Sequence, residues 1–262
     1  MGRNQRSWFY CFMVTIWLWL IHIIDGIVYM KAKLISYSQK VPEFKGSCPV
    51  PKVKDDIQEL IAYCARVSNP SNQNNQETSE RLLSYLAKHK HWSPFEMVSA
   101  CIEIETTRDI ARQILRHRSF SFQEFSQRYA DPTEDLGFVT REARLQDTKN
   151  RQNSITINPG DGENVAALMS DWERQQEIVI DAAKEAYEWA IKNGIAKEQA
   201  RAVLPEGLTE SRMYMNGTLR SWIHFIELRS GNGTQKECQE VALACAKAIT
   251  EIFPLTDKFI ND

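Results

Sequence analysis

The residues best equipped for chemistry lie together between positions 116 and 129. The run Arg116-His117-Arg118-Ser119-Phe120-Ser121-Phe122-Gln123-Glu124-Phe125-Ser126-Gln127-Arg128-Tyr129 packs three arginines, a histidine, a carboxylate and three serines into fourteen residues. Arginine presents a rigid fork of donors that matches phosphate oxygens or an imide edge. Serine hydroxyls and the backbone amides of an irregular loop add further phosphate donors. A carboxylate among such cations accepts from a sugar hydroxyl or a ring N–H. This set of groups suits a nucleoside monophosphate rather than a long nucleic acid. Arg-His-Arg alone has a plainer reading, because cations at a helix C-terminus also complement the helix dipole. The longer run is what points to a site. No His or Asp is placed to activate Ser126 as a nucleophile, so Ser126 is assigned to binding.

Several elements must position this run. Ile110, Ala111, Ile114 and Leu115 recur at helical spacing, which predicts a helix over 107–117 with Thr107 as N-cap and Asp109 in its first turn. Gln113, Arg116 and His117 then share one face. After Arg118 the period changes to that of a strand, and Phe125 breaks it, so a bulge or irregular turn there would set Glu124, Ser126 and Arg128 on one side. Upstream, 98–105 alternates as a strand and feeds the helix directly, and 31–38 alternates in the same way. Helices are expected over 55–67 and over 79–89, with Leu82, Leu83 and Leu86 inward. The turn at His91-Trp92-Ser93-Pro94-Phe95-Glu96 brings an imidazole, a hydroxyl and a carboxylate together, and it also reads as a simple helix-to-strand connector. Residues 42–54 read as a Pro-rich loop, 69–77 as an Asn-rich loop and 140–162 as a polar excursion. A long amphipathic helix over 169–193 ends at Gly194, and its Trp172, Ile178, Ala182, Tyr187, Trp189 and Ile191 read as core. Arg201 falls in a short helix before Leu204-Pro205. Residues 214–229 form one segment in which, on a helix, Arg220 and His224 stand four apart. Thr234 and Glu237 have the spacing of a capping box opening a last helix.

Bulk properties narrow the classes. The chain has 262 residues, 43% of them hydrophobic and 25% charged, as in an ordinary soluble globular protein. A net charge of −2 argues against a general nucleic-acid binder. Six cysteines form no C-x-x-C pair, which fits reduced thiols in a cytoplasmic protein better than a disulfide framework or a zinc site. No metal is expected. No P-loop or G-x-G-x-x-G occurs. Residues 1–29 stand apart: Arg3 and Arg6 precede an apolar run from Trp8 to Ile24. Three readings apply to it, namely a signal peptide or anchor, a short membrane span, and an upstream start with Met30 as the true beginning. The third is favoured, which leaves 30–262 as a single α+β domain with a small sheet and several long helices.

Arg116, His117, Arg118, Ser126, Arg128 and Tyr129 fall on a pattern that resembles the signature of the flavin-dependent thymidylate synthases. The resemblance extends over most of residues 30 to 255, including the Ala65-Arg66-Val67-Ser68, His91–Glu96 and 218–229 segments. It implies an enzyme that reductively methylates dUMP to dTMP, with FAD as cofactor, 5,10-methylenetetrahydrofolate as one-carbon donor and NADPH as reductant. It also implies a homotetramer whose active sites are shared between subunits. By the family's pattern Gln113, Arg116, Glu124, Phe125, Ser126, Gln127, Arg128, Arg201 and Arg229 hold dUMP. Ser93, Glu96, Arg116, His117, Arg118, Gln123, Glu124, Thr218, Arg220 and His224 face FAD, and His91 lies near the folate and flavin. Arg229 assists ionisation of the uracil N3 and is the catalytic assignment. Met97 stands where the family has His, and Gln123 where it usually has Asn.

A rival reading makes the chain a non-catalytic nucleotide- or RNA-binding module, with the Arg cluster as its electrostatic site and Phe120, Phe122 and Phe125 as stacking platforms. The net charge and the separate polar segments near 91, 201 and 220 weigh against it.

Overall fold

A computed structural model describes residues 30–41 and 56–256. The N-terminal apolar run and the whole Pro-rich loop over 42–54 lie outside the described residues. Among the described residues no helix is long and apolar enough to cross a membrane.

The core is a four-stranded antiparallel sheet in the order β1-β2-β6-β3, made by β1 (Lys31–Tyr37), β2 (Ser99–Thr107), β3 (Ser121–Glu124) and β6 (Glu210–Thr218). Strand β2 alternates as its sequence requires. Ala100, Ile102 and Ile104 are buried, and Cys101, Glu103 and Glu105 point the other way. On the polar face cross-strand partners pair off: Tyr214 Oη donates to Glu103 at 2.7 Å and Arg212 to Glu105 at 2.9 Å. The apolar face is covered by helices, giving one large core that includes Phe95, Ile114, Trp222, Phe225, Cys245 and Phe253. The covering helices include α1 (Asp56–Ala65), α2 (Ser79–Lys88), α3 (Arg108–Ile114) and the last two helices of the chain, and the short α4 (Pro132–Asp135) follows α3 in sequence.

The chain between 136 and 218 differs from its sequence reading in three places. The polar excursion holds a small hairpin, β4 (Arg144–Gln146) with β5 (Ser154–Thr156). The long helix, α5 (Glu163–Lys192), begins six residues earlier than the periodicity suggested and does end on Gly194, whose φ of +79° is the left-handed cap. It is followed by α6 (Lys197–Ala200). The six apolar residues of α5 read as core are mostly outside. Trp172, Ile178 and Trp189 are 44%, 53% and 61% exposed, and only Tyr187 among them is fully buried. The inward seam is instead Gln176, Ile180, Ala183, Tyr187 and Ala190.

The segment 214–229 also divides. Its first residues complete β6, in which Ser211, Met213, Met215 and Gly217 are buried, and the helix α7 (Leu219–Ser230) starts only after Thr218. Strand β6 is hydrogen-bonded on both sides, to β2 and to β3, and this pairing overrides the weak local preference of its residues. Thr218 turns the corner as N-cap, its Oγ1 accepting the Ser221 N–H at 3.4 Å. The last helix, α8 (Lys236–Thr250), lacks the expected capping box. Gln235 is its N-cap, and Glu237 turns to Arg144 and Arg141 instead.

Arg141 ties these parts together. Its main chain exchanges two hydrogen bonds with the buried Gln176 side chain of α5, at 2.8 and 2.9 Å. Its guanidinium donates to Gly207 O at 3.0 Å and to Thr107 Oγ1 and Asp109 Oδ1 at 2.6 Å each. It also pairs with Glu237 at 3.5 Å. Thr107 is the expected N-cap of α3 by position, yet its hydroxyl donates to Asp109 at 2.6 Å rather than capping an amide. The N-terminus of α3 is thereby fixed, and with it the residues at its other end.

Candidate active site

Helices α3 and α7 bring the first group of polar residues together. Helix α3 ends at Ile114, so Arg116 and His117 sit on the turn just past it. The Arg229 Nε–H donates to His117 Nε2 at 2.8 Å, and its Nη2 reaches Gln113 O at 3.3 Å. The Gln113 side chain donates to Gln235 Oε1 at 2.8 Å. Arg112, Gln113, Arg116 and Arg229 line an open concavity of about 400 Å³. His117 stands edge-on to Phe225, with centroids 5.0 Å apart. Burial, then the Arg229 charge, hold its pKa below the ordinary 6.5. A ring that accepts at Nε2 and resists protonation is the neutral tautomer with its proton on Nδ1. Two donors of Arg229 are thus fixed, and Nη1 has no hydrogen bond among the described residues.

A second group lies at the start of α7. Arg220 forms an ion pair with Glu96, on the short 3₁₀ turn Ser93–Glu96. His224, one turn further along α7, meets Trp92 edge-on at 4.8 Å. Ser93 is exposed beside them. His91 follows Lys90, whose φ of +58° closes the end of α2, and its ring is 6.5 Å from Tyr85 and 6.3 Å from His89. Arg116 and Arg118 are exposed and carry no carboxylate partner among the described residues. Phe120, two residues on, anchors this end. Its ring lies against Trp222 at 4.9 Å and directly over Gly217, where a Cβ would come within 2.4 Å of it.

The third group gathers residues from β3 onward. Strand β3 keeps the predicted alternation, and of the bulge or irregular turn expected after it a turn follows at Ser126, but Glu124 and Arg128 do not share partners. Glu124 Oε1 accepts from Arg108 at 3.2 Å and from Ser211 at 3.0 Å. The Phe125 N–H donates to Arg212 O at 2.8 Å, which continues the pairing with β6. Ser126 O then accepts from Tyr129 and Ala130 N–H at 3.0 Å each, so the chain turns, with Gln127 buried inside the turn. Arg128 pairs with Glu198 at 3.6 Å, and Arg201 Nε reaches Glu198 O at 3.3 Å. Gln123 is exposed on the polar face, opposite Tyr214.

The structure therefore joins Gln113, Arg116, His117 and Arg229, and separately Ser93, Glu96, Arg220 and His224, with Thr218 capping the helix that links the two. Arg128 and Arg201 share Glu198, and no hydrogen bond or ion pair connects them to Arg229 among the described residues. Four contributors escaped the sequence reading: Gln235, Arg108, Ser211 and Glu198. Ser211 gave no signal, because it is a polar residue on the buried face of β6, flanked by Glu210 and Arg212.

Guanidinium groups with free donors, a neutral imidazole and an open concavity make a site chemically suited to an anionic ligand. Residues 52–255 match the family described as thymidylate synthase complementing protein. The chain is 46% identical over 232 residues to the probable flavin-dependent thymidylate synthase of Paramecium bursaria Chlorella virus 1, covering 88% of this chain and 99% of that one. It is 48% identical over 196 residues to the flavin-dependent thymidylate synthase of Synechocystis sp., covering 74% and 85%. Among solved structures, the UMP/dUMP methylase PolB from Streptomyces cacaoi bound with 5-Br dUMP aligns with a TM-score of 0.68 at 25% identity, covering 88% of this chain and 93% of that one. This chain belongs to the flavin-dependent thymidylate synthase family.

Proposed function

We propose that the protein converts dUMP to dTMP by reductive methylation at C5, with FAD as bound cofactor, methylenetetrahydrofolate as one-carbon donor and NADPH as reductant. It works as a homotetramer in which neighbouring copies complete each site. The observation that carries the reading is the Arg229–His117–Gln113 arrangement. A guanidinium fixed along one edge and free at Nη1 favours a uracil ring that has lost its N3 proton. Negative charge on that ring makes C5 nucleophilic. The neutral His117 holds Arg229 without competing for the anion.

Phosphate recognition falls to Arg128, Arg201 and Ser126, and Glu124 is held ready to accept from the nucleoside. Arg128 and Arg201 stand apart from Arg229 within one chain, which is what supports shared sites. The flavin fits the donor set present. Arg116, Arg118 and Arg220 offer cations to a pyrophosphate, Ser93 offers a hydroxyl, and the Trp92–His224 pair offers a flat edge. When bound, the flavin supplies the hydride, and the chain's own residues position and polarise.

The test is direct. Purified protein should show flavin absorbance, or gain it on adding FAD, and should release the C5 hydrogen of dUMP only when folate donor and reductant are present. Protein that takes up no flavin and turns over no dUMP would sink the reading and return attention to a binding module.

A further inference from the structure

Helix α5 is under-packed for its length. It spans thirty residues, yet its inward seam is only Gln176, Ile180, Ala183, Tyr187 and Ala190. Of these, only Tyr187 and Ala190 belong to a hydrophobic cluster, a small one completed by Ala200 and Leu204 and separate from the main core. A second apolar seam runs along its open side. Leu168, Trp172, Val179, Ala182, Ala186 and Trp189 follow steps of four and three, with Gln175 in the vacant place, which is the spacing of a helix that packs on another helix. Leu168, Trp172, Val179 and Trp189 are between 44% and 61% exposed. At the C-terminal end of the seam, Ala186, Trp189, Ile195 and Val203 wall a groove of about 640 Å³.

We infer that this seam pairs two copies of the chain, α5 against α5, antiparallel about a two-fold axis between residues 180 and 181. The inference rests on the homotetramer in the functional reading and names the face that builds it. The seam is self-complementary in this register, as a two-fold contact must be. Val179 of one copy meets Ala182 of the other, so small residues allow close approach at the centre. Trp172 of one copy falls beside Trp189 of the other and enters the groove walled by Ile195 and Val203. The flanking charges agree, since Asp171 of one copy comes beside Lys192 of the other at both ends. Area also argues for the groove. The seam from Leu168 to Trp189 is about 32 Å long and, at about 10 Å wide, offers on the order of 320 Å² per copy. Two such strips fall well short of the roughly 1,000 Å² expected of a specific interface, so the groove walls must enter the contact as well. The groove wall belongs to the same short segment as Glu198 and Arg201, so the contact braces the groups that hold Arg128.

Two measurements test this. Sedimentation of flavin-loaded wild type should give a multi-copy particle, and A182E and W189E should at least halve its mass while retaining wild-type far-ultraviolet dichroism. Unchanged mass in both variants, or a wild type that is itself a single chain, overturns the pairing. The second measurement leaves the seam nearly intact. Differently tagged V179C and A182C chains are mixed and oxidised, beside each variant alone and the wild type. The mixture should give disulfide-linked pairs several-fold above either variant alone, and this result decides the matter where the glutamate variants fail to fold. Equal or greater linkage within a single variant overturns the register. Failure of the functional reading is separate, because it shows as absent flavin at unchanged mass.

Discussion

The substitution Gly217→Ala should destabilise the protein, and the structure sets the size of the effect. Gly217 lies in β6 opposite Ala100, in extended backbone that alanine adopts freely. In open space the change would stabilise by roughly 0.4–1 kcal/mol, through a less flexible unfolded chain. Here the new methyl meets Phe120 Cδ1 at 2.4 Å and Cε1 at 2.6 Å. Carbon atoms pack at about 3.5–4.0 Å, so the ring must retreat by about 1 Å. Behind it stand Trp222 at 4.9 Å and Phe225 at 6.1 Å, both fully buried. Overpacking of this kind costs about 1–3 kcal/mol, which in a chain of this size lowers Tm by about 2–4 °C per kcal/mol. Thermal unfolding of matched apo samples measures it. The double variant Gly217→Ala/Phe120→Leu should recover part of the loss, because the smaller side chain vacates the clash. The Phe120 N–H also donates to His117 O, so flavin affinity should fall in the single variant and return in the double one. A Tm for Gly217→Ala equal to or above wild type would refute the steric reasoning.

Three further outcomes are expected. Arg229→Ala should lose about a hundred- to thousandfold in kcat, the usual loss for one stabilising donor, whereas Arg128→Ala should mainly raise KM for dUMP; near-full kcat in Arg229→Ala at saturating dUMP with flavin bound would reduce Arg229 to a helix-end cation. His117 is held below its ordinary 6.5, so the unfolded chain binds that proton first, and the native state loses stability as pH falls through 6.5 but not above it. His117→Gln keeps an acceptor for Arg229 and cannot titrate, so the Tm of wild type relative to this variant should drop below pH 6.5; a constant difference across that range contradicts the assignment. Burial raises the thiol pKa of Cys64, Cys101, Cys238 and, most strongly, Cys245, so none of these four is a ready thiolate, and replacing them should leave turnover per folded molecule intact. Loss of all turnover in a folded Cys101→Ala variant would contradict this.

The candidate site residues could be singled out because their types are restrictive. Arg-His-Arg followed at fixed spacing by Ser and Arg-Tyr leaves few readings, and α7 puts Arg220 and His224 one turn apart as the spacing required. Strand β6 was less legible. Met213, Tyr214, Met215, Asn216 and Gly217 prefer no single state, and pairing with β2 and β3 decided it. The face of α5 was misread for a different reason. Its sequence holds two apolar seams, one at 172, 179, 182 and 189 and one at 180, 183, 187 and 190, and periodicity cannot say which of two seams its own chain covers. Glu237 shows a third limit. Its position fits a capping box, yet Arg141 and Arg144, some ninety residues away in sequence, compete for the same carboxylate and win.

The Arg141 junction has a consequence for how the molecule breathes. One guanidinium and one peptide unit hold the start of α3, the loop at Gly207, the start of α8 and the side of α5. Releasing α3, the Gly207 loop or α8 strips the guanidinium of a partner, and releasing α5 leaves the buried Gln176 amide unpaired, so the four segments are expected not to open one at a time. We predict that they form one cooperative unit, in which native-state hydrogen exchange gives the amides near 109, 141 and 209 a common opening free energy, and clearly different values at the three would refute it. The exposed hairpin tip between Gln146 and Ser154 lies outside that unit and exchanges first. The site at the far end of α3 therefore inherits its rigidity from a contact that touches none of its residues.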